Sequence, residues 1–358
     1  MESEERDKIN MVMHAFADRE NFNAQNLNAK EISHRLNPDL FDITLFYKNK
    51  PDTRLLNREN IHLIKIPDCR IVPSFVILKS LVSRKYDIFF YVRTFYLDYL
   101  YFRFRKISLD RKITIHTIEN ALPYPANRKY NKIAKSNALN SDYVFSVSKY
   151  VAETAEKEYG IKTPVMYVGV DTNLFIPPKE KNFNSKIKVL YVGSFQERKR
   201  PYLVLEAAKR FPDVEFHLIG DGPLKERLFS IIEKEKLNNV EISSNLPTEE
   251  LISYYQNSDI FLFPSIHEGF PKVTLEAASC GLPAIVFDSY KPETVLNGKT
   301  GFIVKDFQEM LDKLEILINN PNLRYKMGKK AREYAKNFDW DVIVKKWEKI
   351  FMDVVRKR

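Results

Sequence analysis

An α/β fold with a mainly parallel sheet, built twice in one chain, is what this sequence predicts, and three observations predict it. Short β-rich runs alternate with helical or irregular stretches, the pattern of strands connected through crossovers. The alternation occurs in two similar halves. A length of 358 residues with 44% hydrophobic content is enough for two cores of ordinary size.

In the first half the β-rich runs are Ile9 to His14, Ile43 to Tyr47, His62 to Ile66, Asp87 to Val92, Ile113 to His116 and Tyr143 to Val147. The second half repeats them at Val189 to Val192, Val214 to Ile219, Val240 to Ile242, Ile260 to Phe263, Ala284 to Phe287 and Gly301 to Val304. Good helix formers lie between, as in Tyr202 to Arg210 and Pro223 to Lys236. The run PPKEKNFNSK, residues 177–186, puts prolines and charges just before a fresh strand and reads as a linker. The expected organisation is a first domain at 1–176, the linker at 177–186 and a second domain at 187–338. Residues 339–358 then form a terminal helix, with Trp340, Ile343, Trp347, Ile350, Phe351 and Val354 at helical spacing. It docks on a core, and the first domain is the candidate host.

Composition removes several function classes. Cys69 and Cys280 belong to no paired or metal-spaced pattern, so neither a disulfide framework nor a zinc site is expected, and a reducing compartment fits. The amino terminus, MESEERDKIN, is acidic and polar where a secretory signal is basic and then apolar, and no apolar run is long enough to span a bilayer. The expected location is the cytosol or the cytosolic face of a membrane. A formal net charge of +10 suits an anionic partner. Nucleic acid is not the expected one, since there is no Cys/His finger, RNP-type aromatic motif or continuous basic region.

The most informative run is SIHEGFPKVTLEAASCGLPAIVF, residues 265–287. It places Glu268 just past a strand's carboxyl end, where open α/β sheets bind ligands. Gly269, Phe270 and Pro271 follow, and a helix begins near Lys272 and Val273, offering backbone N–H groups and a positive dipole end to an anion. Glu268 is placed to accept hydrogen bonds from sugar hydroxyls, and Glu276, two turns into the helix, from a ribose. Neither role requires a metal. The plainer account of two such glutamates, as solvated helix-end carboxylates, does not explain the whole pattern.

That segment resembles the EX7E motif of retaining glycosyltransferase family 4, the glycosyl transferases group 1, which have the GT-B fold of two Rossmann-like domains facing each other across a cleft. Upstream, LYVGSFQERKRPYLVLEAAKRFPDVEFHLIGDGPLKERL resembles the family's first strand, basic loop and Gly-Asp-Gly-Pro turn. The family's loop usually carries an Arg after the glycine and a Lys five or six residues later, the pair neutralising the donor diphosphate. Here Ser194 follows Gly193 where that Arg stands, Lys199 matches the Lys, and Arg198 is its neighbour. Fixed cations at a diphosphate leaving group stabilise the transition state more than the ground state, which assigns that work first to Lys199 and then to Arg198.

The resemblance also covers residues 141–178, where Val168-Gly169-Val170-Asp171 stands for the usual Asn-Gly-Val-Asp, and PETVLNGKTGFIV, whose Glu293, Asn297, Gly298 and Gly301 match a family turn. His116 matches a strand-end histidine that faces the donor sugar from the opposite domain. The first strand departs from the family, having no Gly-rich loop, and its polar loop offers Asn23, Gln25 and Asn26 as acceptor contacts. Residues 86–112 interleave aromatics with Arg93, Arg103, Arg105, Lys106, Arg111 and Lys112. They read either as a surface docking on anionic lipid, giving peripheral membrane association, or as a buried strand and amphipathic helix.

What the resemblance implies is a metal-independent transferase, without a cofactor, that takes a UDP-, GDP- or ADP-sugar donor to a sugar or lipid-linked acceptor with retention of configuration. The alternatives are a GT-B phosphorylase or sugar-nucleotide epimerase, or a non-catalytic sugar-nucleotide-binding subunit of a larger synthase. No G-x-G-x-x-G opens either half, which weighs against a dehydrogenase.

Overall fold

The computed structural model describes residues 8–19, 24–67, 72–83, 85–92, 96–108, 111–123, 128–179 and 186–358. Its contacts divide the chain into two units. One is Met1–Val168 with Trp340–Arg358, and the other is Gly169–Asp339.

The first unit carries β1 (Ile9–Phe16), β2 (Phe41–Tyr47), β3 (Ile61–Lys65), β4 (Ile88–Val92), β5 (Ile113–Ile118) and β6 (Tyr143–Ser146). They form one sheet in the order β3-β2-β1-β4-β5-β6, parallel at every pairing. The second unit carries β7 (Lys188–Val192), β8 (Glu215–Ile219), β9 (Val240–Ser243), β10 (Ile260–Phe263), β11 (Ala284–Phe287) and β12 (Gly301–Val304). Its order, β12-β11-β10-β7-β8-β9, is also parallel throughout. Counted within its own unit, each sheet runs 3-2-1-4-5-6, the doubly wound Rossmann order, with helices on both faces. Burial on both faces explains why IFLF in β10 and AIVF in β11 are continuous apolar runs, buried at every position, rather than alternating ones.

In this topology the chain reverses its direction of winding between β1 and β4 and again between β7 and β10. The crevice beyond the carboxyl ends of those strands is where such sheets take ligands.

The division falls between Val168 and Gly169, eight residues before the boundary expected at 176/177. The reason is a set of bonds that tie residues 170–176 to the second unit. Val170 N donates to Phe338 O (2.9 Å), and Thr172 donates to the Asp339 carboxylate through its N (3.1 Å) and its Oγ1 (2.5 Å). Ser279 Oγ (2.6 Å) and Arg332 Nη1 (3.0 Å) both donate to Phe175 O.

The terminal helix, Trp340–Arg356, belongs to the first unit. Trp347 packs on Phe90 and Phe145 with ring centroids 4.9 and 5.1 Å apart, and Phe351 packs on Phe90 (4.9 Å) and Phe41 (6.0 Å). Both side chains are at most 3% exposed, and truncating either to alanine removes about 3–5 kcal/mol of packing.

Candidate active site

The loop after β7 and the loop after β10 leave the second sheet at its switch point and meet around one carboxylate. Glu268 is 7% exposed, and its Oε1 is a shared acceptor. Lys199 Nζ lies 2.8 Å from it, Arg198 Nη1 3.1 Å and Ser265 Oγ 2.5 Å. Oε2 has no donor among the described residues and keeps its acceptor capacity.

Lys199 and Arg198 lie in a single 3₁₀ turn, Glu197–Lys199, that ends at Arg200 in the left-handed region (φ 48°). Arg198 also donates to His267 O (2.8 Å), and Ile266 N donates to Arg198 O (2.9 Å), so the two loops are laced together. The Lys199 ammonium stands 4.9 Å from the centroid of the Phe263 ring, at the end of β10. Burial pulls the Lys199 ammonium below its ordinary value, the nearby Arg198 charge acts the same way, and Glu268 opposes both.

The seat of this turn is set by glycine. Gly193 N donates to Ile219 O (3.0 Å) and Phe195 N to Asp221 O (2.8 Å), and a Cβ at Gly220 would stand 2.0 Å from Gly193 O. Only a residue without a side chain lets the Gly220-Asp221-Gly222-Pro223 turn close on the basic loop. Ser194 contributes backbone here, its carbonyl accepting from Tyr191 OH (3.2 Å) and Gln196 N (2.9 Å).

Gly269, Phe270 and Pro271 are buried, and Pro271 precedes the helix Lys272–Ser279 without any side-chain cap. The first-turn N–H groups, Val273 among them, therefore make an anion-binding end. Glu276 is half-buried, two turns in, and accepts from Tyr255 OH at Oε2 (2.8 Å). Burial raises its carboxyl above the usual range, with Lys272 and the Tyr255 bond opposing. Oε1 of Glu276 has no donor among the described residues.

Ser265, Tyr191 and Tyr290 were not singled out from sequence. Ser265 sits three residues before Glu268 inside the quoted run, a signal that was present. Tyr290 gives none. It closes a short turn after β11, is 1% exposed, and its hydroxyl has no hydrogen-bond partner among the described residues. Burial and the Glu268 charge both hold that phenol well above its ordinary value.

In the first unit His116 is 4% exposed and lies inside β5, two residues before its end, level with Val92 of β4 and Val144 of β6. Gln25 is half-buried at the start of the helix Ala24–Arg35. Asn26 is 2% exposed and its Oδ1 accepts from Phe16 N (3.0 Å), a bond that ties off β1. Asn23 lies outside the described residues. Sequence reading also missed a buried pair at this switch point, His14 Nδ1 with both oxygens of Asp98 at 3.0 and 3.1 Å. No group of three or more potential metal-ligating side chains occurs among the described residues.

Residues 173–334, nearly all of the second unit, match the family described as glycosyl transferases group 1. An uncharacterized glycosyltransferase of Methanocaldococcus jannaschii is 27% identical over 252 residues, 70% of each chain. A second one from that organism is 25% identical over 364 residues, 90% of this chain and 92% of its own. Among solved structures, sucrose-phosphate synthase of Thermosynechococcus elongatus superposes with a TM-score of 0.82 at 18% identity, over 98% of this chain and 100% of its own. HepE of Anabaena, in complex with UDP and glucose, gives 0.79 at 16% identity over 96% and 99%. At these identities the structures speak for the fold, the pair of Rossmann-like domains of GT-B glycosyltransferases.

Proposed function

We propose that the chain, whose residues 173–334 match the glycosyl transferases group 1, is a retaining, metal-independent transferase using a nucleotide-sugar donor. The observation that carries this reading is the shared acceptor, Glu268 Oε1, which holds two cations at the switch point beside an uncapped helix amino terminus.

In this reaction the bond from the sugar C1 to the diphosphate oxygen breaks and the diphosphate leaves with added negative charge. Lys199, Arg198 and the first-turn N–H groups of Lys272–Ser279 are fixed positive poles for that charge, and they do the work a divalent cation does elsewhere. The acceptor hydroxyl forms the new C1–O bond on the face the diphosphate leaves, and its proton passes to the departing phosphate oxygen. Glu268 Oε2 orients the sugar hydroxyls. Glu276 Oε1 takes a ribose hydroxyl, with Tyr255 holding the carboxylate in place. His116 is assigned to the donor sugar by resemblance.

Uridine, guanosine and adenosine diphosphate sugars all suit this chemistry, and the UDP and glucose bound by HepE put UDP first in order of trial. The test is a thermal-shift panel of the full chain with UDP, GDP, ADP and their sugar conjugates, with and without EDTA. A ligand that binds the folded state alone raises the melting temperature by mass action. A shift with one nucleotide that persists in EDTA is the expected result, and no shift with any of them sinks the reading.

A lipid-linked acceptor is favoured by the exposed side chains of two helices. On the helices Val72–Val82 and Tyr96–Ser108, Phe75, Phe104 and Ile107 are 67%, 47% and 82% exposed, and Lys79, Arg103 and Lys106 are exposed with them. Apolar side chains among cations are what an anionic bilayer surface binds. Of the other basic residues in this segment, Arg105 is committed to Asp142 and Lys112 is buried. Arg93 lies outside the described residues. No helix among the described residues is long and apolar enough to cross a membrane. Co-sedimentation with phosphatidylglycerol vesicles but not with phosphatidylcholine vesicles is expected, and equal recovery with both removes this reading.

A further inference from the structure

At the amino end of the second sheet, away from the switch point, the second unit contains a cavity of about 360 Å³. It lies beside Asp259, the residue that precedes β10, and the four residues of β10 put roughly 13 Å between it and the loop that carries Glu268. Its lining includes Lys179, Arg324, Lys329 and Arg332, against the single carboxylate of Asp259.

The helix Pro321–Ala335 builds it. Arg324, Gly328 and Arg332 are spaced four residues apart and so share one face. Gly328 packs so closely on Gly281 that a Cβ there would stand 2.0 Å from the Gly281 carbonyl oxygen, which leaves the two guanidiniums on either side of a recess. Each is anchored through one nitrogen. Arg324 Nη1 donates to Leu317 O (2.5 Å) and Ile318 O (2.7 Å), at the carboxyl end of the preceding helix. Arg332 Nη1 donates to Phe175 O, Ser279 O and Ser279 Oγ at 3.0, 3.1 and 2.7 Å.

Neither arginine forms a carboxylate ion pair among the described residues, although Arg324 is 7% exposed. Burial holds the Arg324 guanidinium below its ordinary value and the Asp259 carboxylate, outside ion-pair distance, opposes this only in part, so an anion beside the guanidinium offsets the remaining cost of burying the charge. The Nε and Nη2 groups of both guanidiniums make no other bond within the described residues, and their fork geometry matches a phosphate.

We propose that this cavity is a second anion site, separate from the donor site, that takes a phosphate-bearing ligand between Arg324 and Arg332 with Lys179 and Lys329 at its rim. Its place at the opposite end of the sheet separates it from the loop that carries Glu268.

The experiment is calorimetric titration of the full chain with sodium phosphate at constant ionic strength, on the wild type, on Lys199→Ala and on the rim double variant Lys179→Glu/Lys329→Glu. Both rim lysines are exposed, so the double variant folds. Saturable binding that survives in Lys199→Ala and weakens at least tenfold in the rim variant is the expected result. Phosphate binding lost in Lys199→Ala but kept in the rim variant would place the anion at the donor site and overturn the proposal, as would no saturable binding of any kind. Vesicles containing phosphatidate form a second arm. Rim-dependent binding to them without a response to free phosphate would put the phosphate on a lipid headgroup, and a response to free phosphate puts it on a soluble ion. UDP binding, read in parallel, is unchanged by the rim variant, so failure here is distinguishable from failure of the donor assignment.

Discussion

The two units share one strand order and differ in what stands at its switch point. In the second, charged side chains reach the carboxyl ends of β7 and β10 and converge on Glu268. In the first, the corresponding strands carry His14, paired with Asp98 and buried, with Asn26 spent on the backbone of β1. The same topology therefore supplies a crevice twice, and side-chain chemistry decides what each crevice does. One unit gathers ionic groups around a carboxylate with unused acceptor capacity. The other pairs His14 with Asp98 inside the fold.

The largest effect that tests this contrast is at Lys199. Removing one fixed positive pole from a leaving group costs on the order of 10²–10³ in rate. Lys199→Ala should lower transfer by that factor with the fold retained, because Arg198 and Ser265 still hold Glu268. Kinetics with circular dichroism checks both halves of the statement, and near-normal turnover would remove the cation assignment. A pH profile sharpens it. The ammonium titrates below its ordinary value, so its charge is complete at low pH and is lost as pH rises through that lowered value. Transfer should fall on an alkaline limb that begins below the usual lysine range and moves upward in Lys199→Arg.

The next effect is on stability and belongs to the first unit. Asp98→Ala removes the buried hydrogen bond between His14 Nδ1 and the Asp98 carboxylate, a loss of about 1–3 kcal/mol. Urea denaturation should show that loss while the nucleotide-induced thermal shift persists. A loss of stability well under 1 kcal/mol would mean that the pair is not structural and that the contrast between the units is drawn in the wrong place.

How much of this was legible in the sequence follows from the range of the interactions. The strands were legible because apolar periodicity is local, whereas the meeting of Lys199 with Glu268 was not, because the two lie in separate runs that only the sheet order brings together. The boundary at Val168 was not. Residues 170–176 are held to the second unit by Ser279 and Arg332, 104 and 157 positions from Phe175. A side chain that caps a distant carbonyl leaves no periodic trace. Asn26 is hard to place for a related reason, since an amide in a polar loop looks the same in sequence whether it serves a ligand or a strand end, and its Oδ1 here serves the end of β1. Arg198 shows the converse. Ser194 removed the expected first cation, and the structure supplies a second one from the residue beside Lys199.

A smaller effect concerns Tyr290, whose buried hydroxyl has no partner among the described residues. Tyr290→Phe should leave stability within about 0.5 kcal/mol, since no hydrogen bond is lost. A drop in donor affinity in that variant would make the hydroxyl a ligand contact and enlarge the site.

The smallest effect concerns Cys280, at the carboxyl end of the helix that carries Glu276. Burial, with the Glu276 charge behind it, pushes this thiol up to about 12. The folded state therefore keeps the proton that the unfolded chain releases near pH 9. The stability this provides is complete below pH 9 and is lost as pH rises toward 12. Because the thiolate is the nucleophile, alkylation of a Cys69→Ser chain at pH 8 should be slower by about a thousandfold than in urea. The native rate should keep climbing through pH 10, where the unfolded rate has levelled. A native plateau near pH 9 would mean that burial and the Glu276 carboxylate do not act on the thiol, and that this end of the helix is open to solvent like an ordinary surface.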